Sequence, residues 1–388
     1  MATAIFLPLV AVAIMVGIYL PLDLSGLSAN PQRLWGYLLL AYCFVAAMAP
    51  VWALLQPRGN LGGYFLYVVM VAAVLGIVAG ACTGANVIRQ PFFAGWTAPA
   101  HLGAFPLFPM LFITVACGAC SGFHGVVAGG TSSKQLDCER DALVVGYGGM
   151  LLEGLFACIS LSTVMIAAAA AAKPDAIYAA GIAGYARQIL APVWKVHGEL
   201  GKEACYCVLY QFALLCFATF VFDTLDACTR LARYVLMEMF GWKTRMQSAA
   251  ATALTLALPA VVLLLPPVLV QGKPQPLWQA FWGIFGSSNQ LLAALTLLAV
   301  TVWLARLRMT WWLTLPPALF MMVMTLWSLA LNFRPYARLW RSGAPIPALT
   351  HVQFVITCTL LTLAAWLLVE AAACLKSVRA HLRNNQPL

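Results

Sequence analysis

The chain has very little charge for its length. Of 388 residues, 22 are Lys or Arg, 12 are Asp or Glu and five are His, so charged residues make up 9% against 63% hydrophobic. A soluble domain needs more polar surface than that, and a soluble fold is excluded. No basic residue precedes the first apolar run, AIFLPLVAVAIMVGIYL, and no small-x-small cleavage pattern follows it, so it reads as a retained helix and not as a signal peptide. No compact basic and aromatic cluster exists; the net charge of +10 is scattered at the ends of apolar runs, where anionic headgroups select for it, and nucleic acid is excluded as a partner. No HExxH, GxSxG or comparable catalytic set is found, which argues against a membrane enzyme. The 12 cysteines sit mostly in apolar runs, and the pairs Cys117/Cys120 and Cys205/Cys207 lack a second pair or a histidine at zinc-ligand spacing. No metal or organic cofactor is implied.

What the sequence does have is apolar runs. At about 20 residues per crossing of a roughly 30 Å hydrocarbon layer, spans fall near 3–21, 34–55, 62–85, 107–130, 143–172, 203–222, 247–270, 277–304, 310–332 and 350–375. The expected fold is all-α, a polytopic integral membrane protein of about ten helices in one transmembrane domain over 1–388, with the lipid bilayer as its main partner. The stretch 173–202 is the only loop long enough to fold over the outer face as a lid or short helix; 333–349 is the other long outer connection. If the spans alternate, Arg58, Lys134, Arg140, Arg230, Arg233, Lys243, Arg245, Arg306, Arg308, Lys376, Arg379 and Arg383 share one side, against Arg33, Arg89 and Lys273. Both termini are then cytoplasmic.

One span is interrupted. Within CGACSGFHGVVAGGTSSK, residues 117–134, lie Gly118, Gly122, Gly125, Gly129 and Gly130 together with Ser121 and His124. Such glycine density lets a helix unwind or approach a neighbour closely. Unwound backbone survives at membrane depth only when buried in protein or lining a polar cavity, and secondary transporters place their sites at such breaks. The plainer alternative is a small-residue packing face, since Gly118, Gly122 and Gly125 are spaced nearly as small-xxx-small.

Three further constellations are polar in apolar surroundings. Glu153 lies roughly two turns into a span, where an ionisable group is costly unless paired or solvated; it is either functional or a lock between two helices. Asp223, Asp226, Arg230 and Arg233 form one helical stripe; an interfacial salt-bridge ladder accounts for the arginines, while the aspartates, nearer the apolar end, suit a cation or proton path. In FWGIFGSSNQLLAAL, residues 283–290 suggest a second flexible break, in which Asn289 and Gln290 either glue helices or face substrate.

The runs LFPMLFITVACGACSGFHGVVAGGTSSKQL, GYGGMLLE, DACTRLAR and WGIFGSSNQLLA, in this order over residues 30 to 305, resemble the carbon starvation protein A family of bacterial inner-membrane proteins. The resemblance implies uptake of a small peptide or pyruvate during carbon starvation, on a core distantly like the inverted-repeat amino acid transporters; the mechanism expected is alternating access driven by cation entry. It also points to Cys117, Gly118, Ser121, Gly122, Phe123, His124, Thr131, Lys134, Gly146, Tyr147, Gly148, Gly149, Glu153, Asp226, Thr229, Arg230, Arg233, Phe285, Gly286, Asn289 and Gln290. Of these, Ser121, Gly122, Phe123, His124, Thr131, Asn289 and Gln290 are assigned to substrate. Glu153 and Asp226, with Asp223, are assigned to a coupling proton or sodium ion, and Gly118, Gly148, Gly149, Arg230 and Arg233 to structure.

Two departures from the family pattern are evident. Asp223 stands where relatives show threonine, and nothing here resembles the family's long additional N-terminal stretch with its own glycine-rich break. The expectation is then a separate chain supplying the other half, a truncated product, or a short form that serves as a non-transporting subunit. The charge distribution makes one direct prediction: a green fluorescent protein fused to the C-terminus should fluoresce and an alkaline phosphatase fusion should be inactive. The opposite pair of results would invert the topology.

Overall fold

A computed structural model describes residues 2–28, 30–97, 105–167, 173–194, 198–270, 273–343 and 345–383. Fourteen α-helices follow one another among the described residues. They are α1 (Ala2–Tyr19), α2 (Pro31–Met48), α3 (Leu55–Thr83), α4 (Leu107–Val115), α5 (Gly122–Gly130), α6 (Gly149–Ile166) and α7 (Pro174–Trp194), then α8 (Gly198–Met239), α9 (Arg245–Leu264), α10 (Leu277–Ala280), α11 (Trp282–Arg306), α12 (Leu315–Asn332), α13 (Arg334–Ser342) and α14 (Ala348–Arg383). A short antiparallel pair, β1 (Val268–Val270) with β2 (Lys273–Gln275), is the one sheet among the described residues.

The all-α polytopic expectation holds. Eight segments among the described residues are long and apolar enough to cross a membrane: Leu55–Thr83, Leu107–Lys134, Leu143–Ile166, Cys205–Met239, Arg245–Leu264, Trp282–Arg306, Trp311–Ser342 and Ala348–Ser377. The two other expected spans, near 3–21 and 34–55, are the helices α1 and α2, which are not among the eight. In α2 the opening Pro-Gln-Arg dilutes an otherwise apolar run.

Three local expectations are made definite. Of the two alternatives for 173–202, a lid or a short helix, the second is found: Pro174–Trp194 is a helix, longer than expected, whose Tyr178, Ala179, Ile182, Ala183 and Tyr185 are buried. Its Ala and Gly content is a small-residue packing face, not the mark of a loop. The connection 333–349 contains the helix α13, and the polar run 283–290 is not a break but lies within the continuous helix α11. There the hydroxyls of Ser287 and Ser288 donate to the carbonyls of Gly283 (3.0 Å) and Ile284 (2.7 Å), so the polar groups are absorbed by the helix itself. Residues 168–172 of the span near 143–172, residues 195–197 and the tail after Arg383 lie outside the described residues.

The chain divides into two compact units, Met1–Phe93 with Gly154–Leu265, and Ala94–Glu153 with Pro266–Leu388. In the first, α3, α7 and α8 pack on small residues. A Cβ on Gly76 would overlap the Tyr185 backbone, and one on Gly181 would overlap the Thr163 side chain. Gln188 donates to Asn86 (2.7 Å), whose own amide donates to the Ile77 carbonyl at 3.2 Å, closing the C-terminal end of α3. In the second unit, Leu291, Ala293 and Ala294 of α11 meet Met321, Met322 and Leu329 of α12 and Ala364 of α14. Phe112 of α4 packs edge-on against Phe320, with 4.9 Å between ring centroids.

Close approach of α3 to α7 is testable. Gly76→Val should destabilise by about 1–3 kcal/mol, the scale of core overpacking, read as a lower melting temperature of the detergent-solubilised protein. Gly63→Ala, where a Cβ meets nothing within 4 Å, should leave the melting temperature unchanged or raise it.

Candidate functional site

The glycine-rich span is broken where the sequence places the break. After α4 the chain tightens into a 3₁₀ turn, Ala116–Gly118, and Ser121 is fully extended (φ −111°, ψ 136°) before α5 begins at Gly122. The stretch between the two helices has backbone groups that no helical ladder satisfies. They are met from α11. Asn289 accepts the Phe123 N–H at Oδ1 (2.9 Å) and donates from Nδ2 to Ser121 Oγ (3.0 Å). With its amide turned to suit its neighbours, the buried Gln290 donates to the Cys120 carbonyl (2.9 Å) and accepts the Cys117 N–H (3.2 Å).

Two adjacent amide side chains thus replace the missing ladder. Ser121 itself, at the N-cap position and buried, makes no side-chain cap, so Asn289 supplies from another helix what an N-cap residue supplies locally. The glycines have a separate part in this. A Cβ on Gly122 would overlap the Asn289 carbonyl, and one on Gly125 would lie 2.8 Å from Thr296 Oγ1. Unwinding and small-residue packing, posed as alternatives, therefore coexist: Ser121 unwinds while Gly122 and Gly125 let α5 lie against α11.

His124 sits in the first turn of α5, and its Nε2 lies 3.1 Å from Glu153 Oε2 on α6. Both side chains are about one-third exposed (35% and 29%), and His124 Nδ1 is buried without a partner. The pair sits beside the N-terminal end of α5, whose dipole favours negative charge. Ser121, Gly122, Phe123, His124, Glu153, Asn289 and Gln290 are thus brought together. Thr131 is not: it ends α5 on the far side, with a buried hydroxyl lacking a partner. Gly118 closes the 3₁₀ turn, whereas Gly148 and Gly149, where a π-helical turn passes into α6, have open space beside them.

The Asp/Arg stripe of α8 is arranged differently from a ladder. Among the described residues no ion pair joins Asp226 to Arg230. Instead Arg230 donates to the Ala46 carbonyl (2.8 Å) and Arg233 to the Ala47 carbonyl (2.6 Å), capping the last turn of α2, whose carbonyls have no helical partner. The aspartates find their cation on α3. Arg58 Nε pairs with Asp223 Oδ1 at 2.7 Å and its Nη1 with Asp226 Oδ2 at 3.0 Å. Tyr42 of α2 donates to the same Asp226 oxygen (3.1 Å) and accepts a hydrogen bond from Arg58. By sequence Arg58 counts only among the basic residues flanking spans. The signal that points to it is the pair of carboxylates in an apolar run, which requires a cation from somewhere.

The sequence matches the family described as carbon starvation protein CstA over residues 1–193 and 167–328. The chain belongs to this family. Among curated family members it is similar to the peptide transporter CstA of Escherichia coli K12, 32% identical over 345 residues, covering 75% of this chain and 48% of that protein. The peptide transporter CstA of Mycobacterium tuberculosis H37Rv is 30% identical over 377 residues (81% and 48%). The pyruvate/proton symporter BtsT of Escherichia coli K12 is 30% identical over 364 residues (76% and 50%). These family members are named as transporters and not as enzymes, and the chain spans about half their length. No solved structure matches.

The stitching of the break predicts a measurable loss. Asn289→Ala leaves the Phe123 N–H without its acceptor and should destabilise the protein by about 1–3 kcal/mol, lowering its melting temperature in detergent. Gly129→Ala on the same helix as Phe123, with nothing within 4 Å of the new Cβ, should not.

Proposed function

We propose that the chain is a secondary transporter of the bacterial inner membrane that takes up peptides or pyruvate when carbon is scarce, coupled to entry of a proton or sodium ion. The observation that carries this reading is the broken helix at Ser121, held open by Asn289 and Gln290 beside the His124/Glu153 pair. Peptides and pyruvate share a carboxylate, and the dipole at the N-terminal end of α5 favours one there. Phe123 and His124 stand in the first turn, where a bound carboxylate would meet them. Glu153, Asp223 and Asp226 are the carboxylates available to the coupling ion. In this reading both units belong to one transmembrane domain with cytoplasmic termini.

A second reading, a non-transporting membrane subunit of the same family, draws on the fact that the chain spans about half of its relatives. Flux separates the two. The purified chain in liposomes with an imposed proton or sodium gradient should accumulate labelled dipeptide or labelled pyruvate, and His124→Ala and Glu153→Gln should each reduce uptake to background while the protein still reconstitutes. Unchanged uptake in both variants removes the pair from the mechanism. No uptake by the wild-type chain favours the subunit reading, and restoration by a co-purifying second chain would identify that chain as a partner.

A further inference from the structure

The cluster around Asp226 is short of positive charge. Arg58 offers one guanidinium to two carboxylates, while Arg230 and Arg233 donate to the carbonyls of Ala46 and Ala47. One negative charge is therefore left without a directly bonded cation. The two aspartates do not share it equally: Asp223 is 26% exposed, but Asp226 is 1% exposed and surrounded by protein. Two polar atoms in the cluster, Asp226 Oδ1 and Arg58 Nη2, are buried with no partner. A fully buried carboxylate with one oxygen unpartnered is expensive as an anion and inexpensive as an acid.

We propose that Asp226 carries the coupling proton on Oδ1 and that Arg58, divided between Asp226 and Asp223, governs its release; this rests on the reading of cation-coupled transport. In the loading step a hydronium ion arriving past the partly exposed Asp223 transfers a proton to Asp226 Oδ1 and leaves water, and Arg58 gives up its Nη1 contact with Asp226. Its Nε bond to Asp223 persists, so the guanidinium keeps a counter-ion in both states. Release is the reverse: Arg58 returns to Asp226, and the proton passes to water. Asp223 is thus a holding partner for the arginine, and Gly62, where a Cβ would lie 3.0 Å from Asp223 Oδ2, leaves room for that carboxylate against α3. The other titratable or charged groups facing Asp226 are Tyr42 and Cys43 on α2 and Arg230 on its own helix. The buried residues of α9 are Ala251 and Thr252, α1 carries no charge, and α7 packs Tyr178 against Phe217, more than two turns away along α8.

The test uses the full chain in two assays. In detergent, infrared difference spectra across a pH titration should show a carboxylic C=O band that disappears in Asp226→Asn. In liposomes, the alkaline limb of gradient-driven uptake should follow the same midpoint. Asp223→Thr gives Arg58 to Asp226 undivided and should move both midpoints to lower pH by about one unit or more. Arg58→Gln should move them the other way. A band that persists in Asp226→Asn overturns the proposal whatever the flux; should that variant fail to fold, unmoved midpoints in both Asp223→Thr and Arg58→Gln overturn it instead. A band behaving as expected in a chain that moves no solute would keep Asp226 as a proton site and remove the transport reading.

Discussion

Everything in the second unit depends on one constraint: backbone polar groups cannot be left unpaired at membrane depth. The chain breaks a helix at Ser121, and the break is tolerated because α11 passes close enough to lend two amide side chains to it. That closeness is set by Gly122 and Gly125, so the same glycines that weaken the helix also bring the partner that repairs it. His124 and Glu153 are then presented beside an opened helix end by elements whose backbone needs are met from within the same unit.

The first unit solves a related problem with charge. The last turn of α2 is buried at Ala46 and Ala47, and their carbonyls are met by two buried arginines from α8. Those arginines are then unavailable to the aspartates of their own helix. Arg58, from α3, becomes the cation that Asp223 and Asp226 need. One helix stripe that reads along the sequence as an internal ladder is in fact a set of bonds to two neighbouring helices.

The membrane architecture is legible in the sequence because span length and hydropathy are local properties. The break is legible for the same reason: the glycine-rich run marks the neighbourhood, although Gly118 alone lies in the interrupted stretch and the other four glycines stand within α5. Asn289 and Gln290 are visible as candidates, but their bonding to Cys117, Cys120, Ser121 and Phe123 depends on a contact across more than 160 residues that no spacing rule encodes. Helix α7 is left open between a lid and a short helix by the sequence because alanine and glycine, indifferent in a loop, are also the residues of closest packing between helices. Arg58 escapes notice because a cation at the edge of a span carries topological information whether or not it also turns inward.

The capping of α2 by α8 has a mechanical meaning. Sliding or rotating α8 past the end of α2 would strip two buried carbonyls of their donors and two buried guanidiniums of their acceptors at the same moment. α2 and α8 are for that reason coupled within the first unit: neither end can be displaced without uncovering buried polar groups of the other. Arg58 joins a third helix to that pair, tying α3 to α8 through Asp223 and Asp226 and to α2 through Tyr42.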